Sequence, residues 1–328
     1  MERRLCFNRN CVIIVLVMCA IFGITSYDYI KSHPYYIYVK NQIKDIPGLR
    51  KSEINILDGC YHVYLDVGSN IGVQVRKLYE PRKYPDAYVH EIFDSYFGPI
   101  EDRENEDNPE TVCAVGFEPN PHHKKYLERV ESSYNKCGWR VKFFTETAVS
   151  DTNGGSHFYS DNDKQNLEWG GGILPPSINN IAMHTVPPTN RKSESSKKTS
   201  QIKLLRLSDF LINVVGTRKI PSNDSKIPGI MKRPPKIVMK MDIEGSEVDV
   251  MPDLIFSGGL QYINAIMIEW HERLEVLPER MMAQEQLETI VETLSEYSET
   301  MNNSNIDFHL VNLDDETYYR SKFRLPEC

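Results

Sequence analysis

These 328 residues carry no excess of positive charge and no internal repeat. Lysine and arginine number 38 against 46 aspartates and glutamates, for a net charge of −8. The first ten residues, with three arginines and one glutamate, hold +2, so the remainder carries −10. A body of that sign does not suit a phosphate backbone, which argues against nucleic acid as the main partner. Without a repeat, solenoids and propellers are excluded. With about 300 residues after the amino-terminal segment and 40% hydrophobic composition, one large α/β domain with insertions is expected.

The first strand-like run, Tyr61 to Leu65, is not followed by the G-x-G-x-x-G dinucleotide fingerprint. In its place stands Asp66-Val67-Gly68-Ser69-Asn70-Ile71-Gly72, spaced D-x-G-x-N-x-G. An acidic residue replaces the first glycine, so a cationic ligand suits this loop at least as well as a pyrophosphate. Gly68 and Gly72 let the backbone turn sharply near a ligand, and Asp66 and Asn70 put polar groups at the strand tip. An unliganded strand-to-helix turn is the plainer reading.

Two more strands end in the same way. Val112 to Phe117 reads as a buried parallel strand, stopped by Glu118-Pro119-Asn120-Pro121 before a helix from about His122 to Tyr134. In nucleoside-binding α/β folds a carboxylate at that tip accepts from ribose hydroxyls, which makes Glu118 the expected ribose ligand; a turn cap is the alternative. Ile237-Val238-Met239 runs into Lys240-Met241-Asp242-Ile243-Glu244-Gly245, with two further carboxylates. Lys240 reads as a buried partner of a carboxylate.

In the order D-x-G-x-N-x-G, G-F-E-P-N-P, Thr147-Ala148-Val149-Ser150-Asp151 and K-M-D-I-E-G-S-E, the chain resembles the FkbM-type family of S-adenosylmethionine-dependent methyltransferases, from about Tyr61 to His271. The cofactor's sulfonium, amino group and ribose, with no phosphate, suit the acidic loop. The resemblance implies a class I methyltransferase (Rossmann-like) α/β fold: an open, mostly parallel sheet with an antiparallel carboxyl-terminal hairpin. It implies cofactor contacts at Asp66, Gly68, Asn70, Gly72, Glu118 and Asn120, and adenine-side contacts at Ser150 and Asp151. The reaction centre would lie near Asp242 and Glu244. The activity implied is O-methyl transfer to a hydroxyl of a small molecule or sugar, so a glycan or another secreted hydroxyl compound is the expected acceptor, and no metal ligand is assigned.

Methyl transfer needs alignment, exclusion of water and removal of one proton. The candidate groups are Asp242, Glu244, Glu269 and His271. Glu269 and His271 are two apart, so in an extended segment they share a side. His271, titrating near the working pH, is the expected base, with Asp242 stabilising the imidazolium or orienting the acceptor. A histidine and carboxylates that merely cap the strand end are the structural alternative. Trp169-Gly170-Gly171-Gly172-Ile173-Leu174-Pro175-Pro176 is a candidate acceptor lid or a plain surface loop. A luminal glycosyltransferase using Asp161-Asn162-Asp163 as a D-x-D metal site is the competing enzyme class. A binding module that keeps the fold without turnover is the third reading.

The departure from the usual pattern lies between Asp66 and Glu118, 52 positions apart, where the ordinary spacing is about 20. The extra segment, Tyr84 to Glu110, carries nine acidic residues against Arg103 alone and reads as a solvated loop. Residues 187–201 and 216–235 read as further excursions. The expected core elements are strands at 61–66, 112–117, 139–148, 236–242 and 262–269, with helices at 72–80, 122–134, 207–215, 246–256 and 280–299. A final strand pair is expected near 306–313 and 317–324.

The amino terminus sets the expected compartment. Arg3, Arg4 and Arg9 precede the uncharged stretch Cys11 to Tyr27, about 17 residues and at the short edge of the spanning range. This predicts a cytoplasmic tail at 1–10, a signal anchor at 11–27, a stem at 28–58 and a luminal domain at 59–328. The protein is then a single-pass membrane protein of the Golgi or endoplasmic reticulum, or a secreted one if the segment is cleaved, although no A-x-A-like site closes it. Four cysteines remain in the luminal part, Cys60, Cys113, Cys137 and Cys328, and allow three pairings. In the implied fold Cys113 with Cys137 and Cys60 with Cys328 is the expected pairing, in an oxidising lumen. Sequons at Asn223 and Asn302 fit glycosylation.

Overall fold

The computed structural model describes residues 55–103, 111–159, 172–173, 199–221, 233–271, 278–300, 308–311 and 323–328. In chain order the elements are β1 (His62–Val67), α1 (Val73–Tyr79), α2 (Val89–Phe97), β2 (Val112–Glu118), α3 (Lys124–Lys136), β3 (Arg140–Thr145), β4 (Thr147–Ser150), β5 (Gly154–Tyr159), β6 (Gly172–Ile173), β7 (Thr199–Arg206), α4 (Leu207–Phe210), β8 (Ile237–Met241), α5 (Glu247–Ser257), β9 (Ala265–Ile268), α6 (Pro278–Thr300) and β10 (His309–Leu310). A π-turn, Leu211–Val215, continues α4.

Six strands form one sheet in the order β10-β9-β8-β1-β2-β3, and every neighbouring pair is parallel. The chain leaves β1 toward β2 on one side and reaches β8 on the other, so the order reverses between β1 and β8. This is the Rossmann-like arrangement in which a crevice opens at the carboxyl ends of the strands. Alternation along each strand builds two cores. Val63, Leu65 and Val67 face Leu207, Leu211, Val250 and Leu254, while Tyr64 faces Leu78, Phe93, Leu127 and Tyr134. Both faces are therefore covered, as the uninterrupted apolar runs demand.

The acidic segment 84–110 departs from the loop reading. Residues 89–97 are helical, and Tyr84, Ala87, Val89, Phe93 and Phe97 are buried in the second core. Of its carboxylates, Glu91 and Asp94 lie on the exposed face of this amphipathic helix. Burying two phenylalanines is worth about 1.5–3 kcal/mol each, which outweighs the intrinsic preference of a charged run for solvent. Residues 104–110 lie outside the described set.

The strand expected at 139–148 is two strands. Glu146 adopts φ 52°, and this left-handed residue turns the chain out of the main sheet. β4 then enters a second sheet of order β4-β7-β5-β6. β5 and β7 were not anticipated; they pair antiparallel over Gly154–Tyr159, and β7 takes in the end of the expected basic loop. Most of the expected carboxyl-terminal hairpin lies outside the described residues. β10 lies parallel to β9, while Phe323 and Arg324 belong to no strand and instead accept hydrogen bonds from Arg76 at 2.9 and 3.1 Å; residues 312–322 lie outside the described set.

The disulfides are Cys60–Cys113 and Cys137–Cys328, with Cα separations of 5.7 and 5.2 Å. The expected pairing fails because Cys113 sits in register with Val63 on the neighbouring strand, which brings Cys60 to it. Cys137 caps α3 and faces the returning carboxyl terminus. Non-reducing peptide mapping of the full-length chain should recover these two links, and a Cys113–Cys137 peptide would refute the arrangement.

No helix among the described residues is long and apolar enough to cross a membrane. The 11–27 segment, both sequons, Asp161-Asn162-Asp163 and Trp169 lie outside the described residues.

Candidate functional site at the strand tips

The register aligns the candidate residues. Asp66 on β1 sits opposite Gly116 of β2 and Lys240 of β8, and Lys240 sits opposite Met267 of β9. Counting two residues onward from Gly116, Lys240 and Met267 reaches Glu118, Asp242 and Glu269. All of these, with Asp66, therefore face the same side of the sheet.

The loop after β1 is shaped by its own backbone. Gly68 adopts φ 90°, and a Cβ there would stand 1.8 Å from the Asp242 carbonyl oxygen. Its lack of a side chain serves contact between two strand-tip loops as well as the sharp turn. Asn70 also adopts a left-handed conformation, φ 48°, and its N–H donates to Glu118 Oε2 at 2.6 Å. Glu118 Oε1 accepts from the Asn120 N–H at 2.7 Å. Glu118 thus clamps the two loops together, a role absent from its reading as a ribose ligand. Gly72 precedes α1 at φ 74° with its N–H donating to Ser69 O at 2.7 Å.

Asp66 is fully buried, and neither carboxylate oxygen has a hydrogen-bond partner among the described residues. The nearby Ser69 hydroxyl donates to the Asp66 carbonyl instead, at 2.8 Å. Burial pushes the Asp66 carboxyl up to about 7, although Lys240 opposes the shift. The Asn70 side-chain oxygen is likewise buried with no hydrogen-bond partner among the described residues. Orphaned polar atoms of this kind are uncommon and ask for an explanation such as a ligand.

The second half of the site gathers around His271. Its Nδ1 lies 3.1 Å from Glu247 Oε1, and its Nε2 lies 3.5 Å from Glu269, 3.6 Å from Asp242 and 3.9 Å from Glu244. Burial alone would lower the histidine, but Glu247 and Glu269 outweigh it and raise it to about 10. The expectation that His271 titrates near neutrality does not hold, because four carboxylates surround it. This setting favours the imidazolium over the neutral ring that a general base requires. The same contact holds Glu269 below the usual carboxylate range.

Lys240 is the buried carboxylate partner expected of it, with Nζ 2.6 Å from Asp242 Oδ2. Glu247, which closes the K-M-D-I-E-G-S-E motif, joins the site in addition to the expected residues. It is 1% exposed and accepts from the Ile243 and Gly245 N–H groups at 2.8 Å each. Those bonds hold the loop in which Glu244 and Gly245 adopt φ 56° and 95°. A glutamate at the start of a helix that follows a strand was the available signal, since such a side chain reaches back to loop N–H groups.

Ser150 ends β4, and Asp151 follows it. They bond each other at 3.1 Å at the end of β4, with Asp249 and Asp253 of α5 as the charges nearest Asp151. No hydrogen bond or ion pair among the described residues joins them to Asp66 or Glu118. The chain matches no protein-family model, no curated protein and no solved structure.

Proposed function

We propose that this protein is an S-adenosylmethionine-dependent O-methyltransferase acting on a hydroxyl of a glycan or another secreted small molecule. The observation that carries the reading is the pair of buried acceptors at the β1 tip, the Asp66 carboxylate and the Asn70 side-chain oxygen, which have no hydrogen-bond partner among the described residues and lie beside Glu118 near the point where strand order reverses. A ligand with a cationic centre and hydrogen-bond donors fits these atoms. The cofactor would supply an activated methyl group.

The chain's own residues then have distinct tasks. Asp66 and Asn70 receive donors of the cofactor, and Glu118 retains lone pairs for ribose hydroxyls while it clamps the loops. Asp242, Glu244 and Glu269 are the carboxylates that accept the proton of the acceptor hydroxyl, with Lys240 as the positive charge that holds Asp242 and His271 as the ring that orients them. Residues 28–328 are assigned to the secretory lumen behind an amino-terminal anchor. The two disulfides support that compartment.

The test is calorimetry of the full-length chain with S-adenosylhomocysteine, and separately with a nucleotide sugar plus manganese. S-adenosylhomocysteine should bind, and Glu118→Gln should weaken it by roughly tenfold, corresponding to a lost charge-assisted hydrogen bond. Binding of the nucleotide sugar with no response to S-adenosylhomocysteine would transfer the assignment to a glycosyltransferase.

A further inference from the structure

We infer that Asp242, Glu269 and His271, with Glu244 beside them, bind a divalent cation at the carboxyl ends of β8 and β9. One ligand atom from each of the first three lies within 4.8 Å of the others. His271 Nε2 is 3.5 Å from Glu269 Oε1, 3.6 Å from Asp242 Oδ1 and 3.9 Å from Glu244 Oε2. Ligand atoms that each sit ~2.1 Å from one ion stand roughly 3–4 Å from one another, so little movement closes the shell.

The atoms are divided between structural and free duties. Lys240 takes Oδ2 of Asp242, while Oδ1 is the oxygen nearer the histidine. Nδ1 of His271 is engaged by Glu247, itself anchored by two backbone N–H groups, which leaves Nε2 turned to the three carboxylates. A carboxylate behind the distal ring nitrogen is how metal-binding histidines are oriented. On the adjacent strand Asp66, fully buried on the same face of the sheet, has two oxygens with no hydrogen-bond partner among the described residues and interacts electrostatically with Lys240 and Asp242. This end of the sheet thus gathers Asp66, Asp242, Glu244, Glu247 and Glu269 around Lys240 and His271.

One imidazole with two or three carboxylates is a borderline donor set that suits Mn²⁺ or Zn²⁺ better than an all-oxygen calcium site. The ion takes the place of the Nε2 proton, and its remaining positions are open to a hydroxyl ligand. A bound acceptor hydroxyl would be more acidic, its proton passing to a neighbouring carboxylate or water. Its oxygen pair then forms the new bond to the methyl carbon while the old carbon–sulfur pair stays on sulfur. That use rests on the methyl-transfer reading; the cation site does not.

The experiment is a titration of the chelator-stripped, full-length chain with MnCl₂ alone, following free Mn²⁺ by electron paramagnetic resonance. About one ion per chain should bind with a Kd of ~10 μM or tighter. Glu269→Gln should weaken it by at least about tenfold, as should the positioning variant Glu247→Gln. Because Glu247→Gln disturbs the loop, Glu269→Gln at a more exposed position is the deciding variant, with unchanged thermal unfolding as its fold control. Absence of tight binding by the wild type, or binding that Glu269→Gln leaves intact, would overturn the site. S-adenosylhomocysteine calorimetry on the same samples separates the two readings: its failure with Mn²⁺ binding retained removes the methyltransferase and keeps the ion.

Discussion

Asp66→Asn is expected to make the ligand-free chain more stable at pH 8, by about 2–4 kcal/mol, while weakening S-adenosylhomocysteine. Asp66 is fully buried and its carboxyl is raised to about 7, with burial as the main cause. A carboxyl raised on folding contributes stability that is fully present below its unfolded value of 3.8. That contribution is lost as pH climbs through the folded value. The gap between wild type and variant should therefore be small at pH 4, widen to about pH 7 and level off above. Urea unfolding of both proteins across pH 4–9 measures it. If the variant is less stable than wild type at pH 8, the carboxylate is held by Lys240 strongly enough to be structural, and it loses its standing as an orphan awaiting a ligand. His271 acts in the same direction in a higher window, its contribution being present below its ordinary value near 6.5 and lost as pH rises through about 10. Its loss on the alkaline side should persist in Asp66→Asn, which separates the two groups.

Glu247→Ala should be the most damaging single change at the site, with a loss of about 3–5 kcal/mol in unfolding free energy. The side chain is almost wholly buried and serves three donors: the Ile243 and Gly245 N–H groups and His271 Nδ1. Removing it leaves two loop N–H groups unsatisfied and a buried imidazolium short of its closest counter-charge. It also frees a loop whose left-handed residues, Glu244 and Gly245, are kept in place by those bonds. Glu247→Gln keeps the volume and one acceptor, so it should lose roughly half as much. A Glu247→Ala protein within about 1 kcal/mol of wild type in urea would show that the backbone alone maintains the loop.

The residues most readily read in sequence were those whose neighbours lie close along the chain. β1, β2 and β8 announce themselves as apolar runs that end in glycine or a carboxylate, and α1, α3 and α5 follow them at the lengths expected. Lys240 in β8 and Asp242 just past its end are two apart, so their ion pair follows from strand period. The acidic helix α2 was harder to read, because charge density dominates the segment while Val89, Phe93 and Phe97 supply only one narrow apolar stripe. Whether that stripe is buried depends on there being a sheet face with Tyr64 waiting for it.

What the sequence determined by itself was an α/β chain with three carboxylate-bearing strand tips, since alternation, turn residues and apolar run length are local properties. Only the tertiary structure decided how those tips act on one another. The parallel register places Asp66, Glu118, Asp242 and Glu269 on one face, and the turn at Glu146 removes Ser150 and Asp151 to another sheet. The same register pairs Cys60 with Cys113. The charge of His271 belongs to this level too: an imidazole titrates according to what surrounds it, and the four carboxylates around this one come from two strand ends and a helix start, 24 to 29 residues earlier and two before it in sequence.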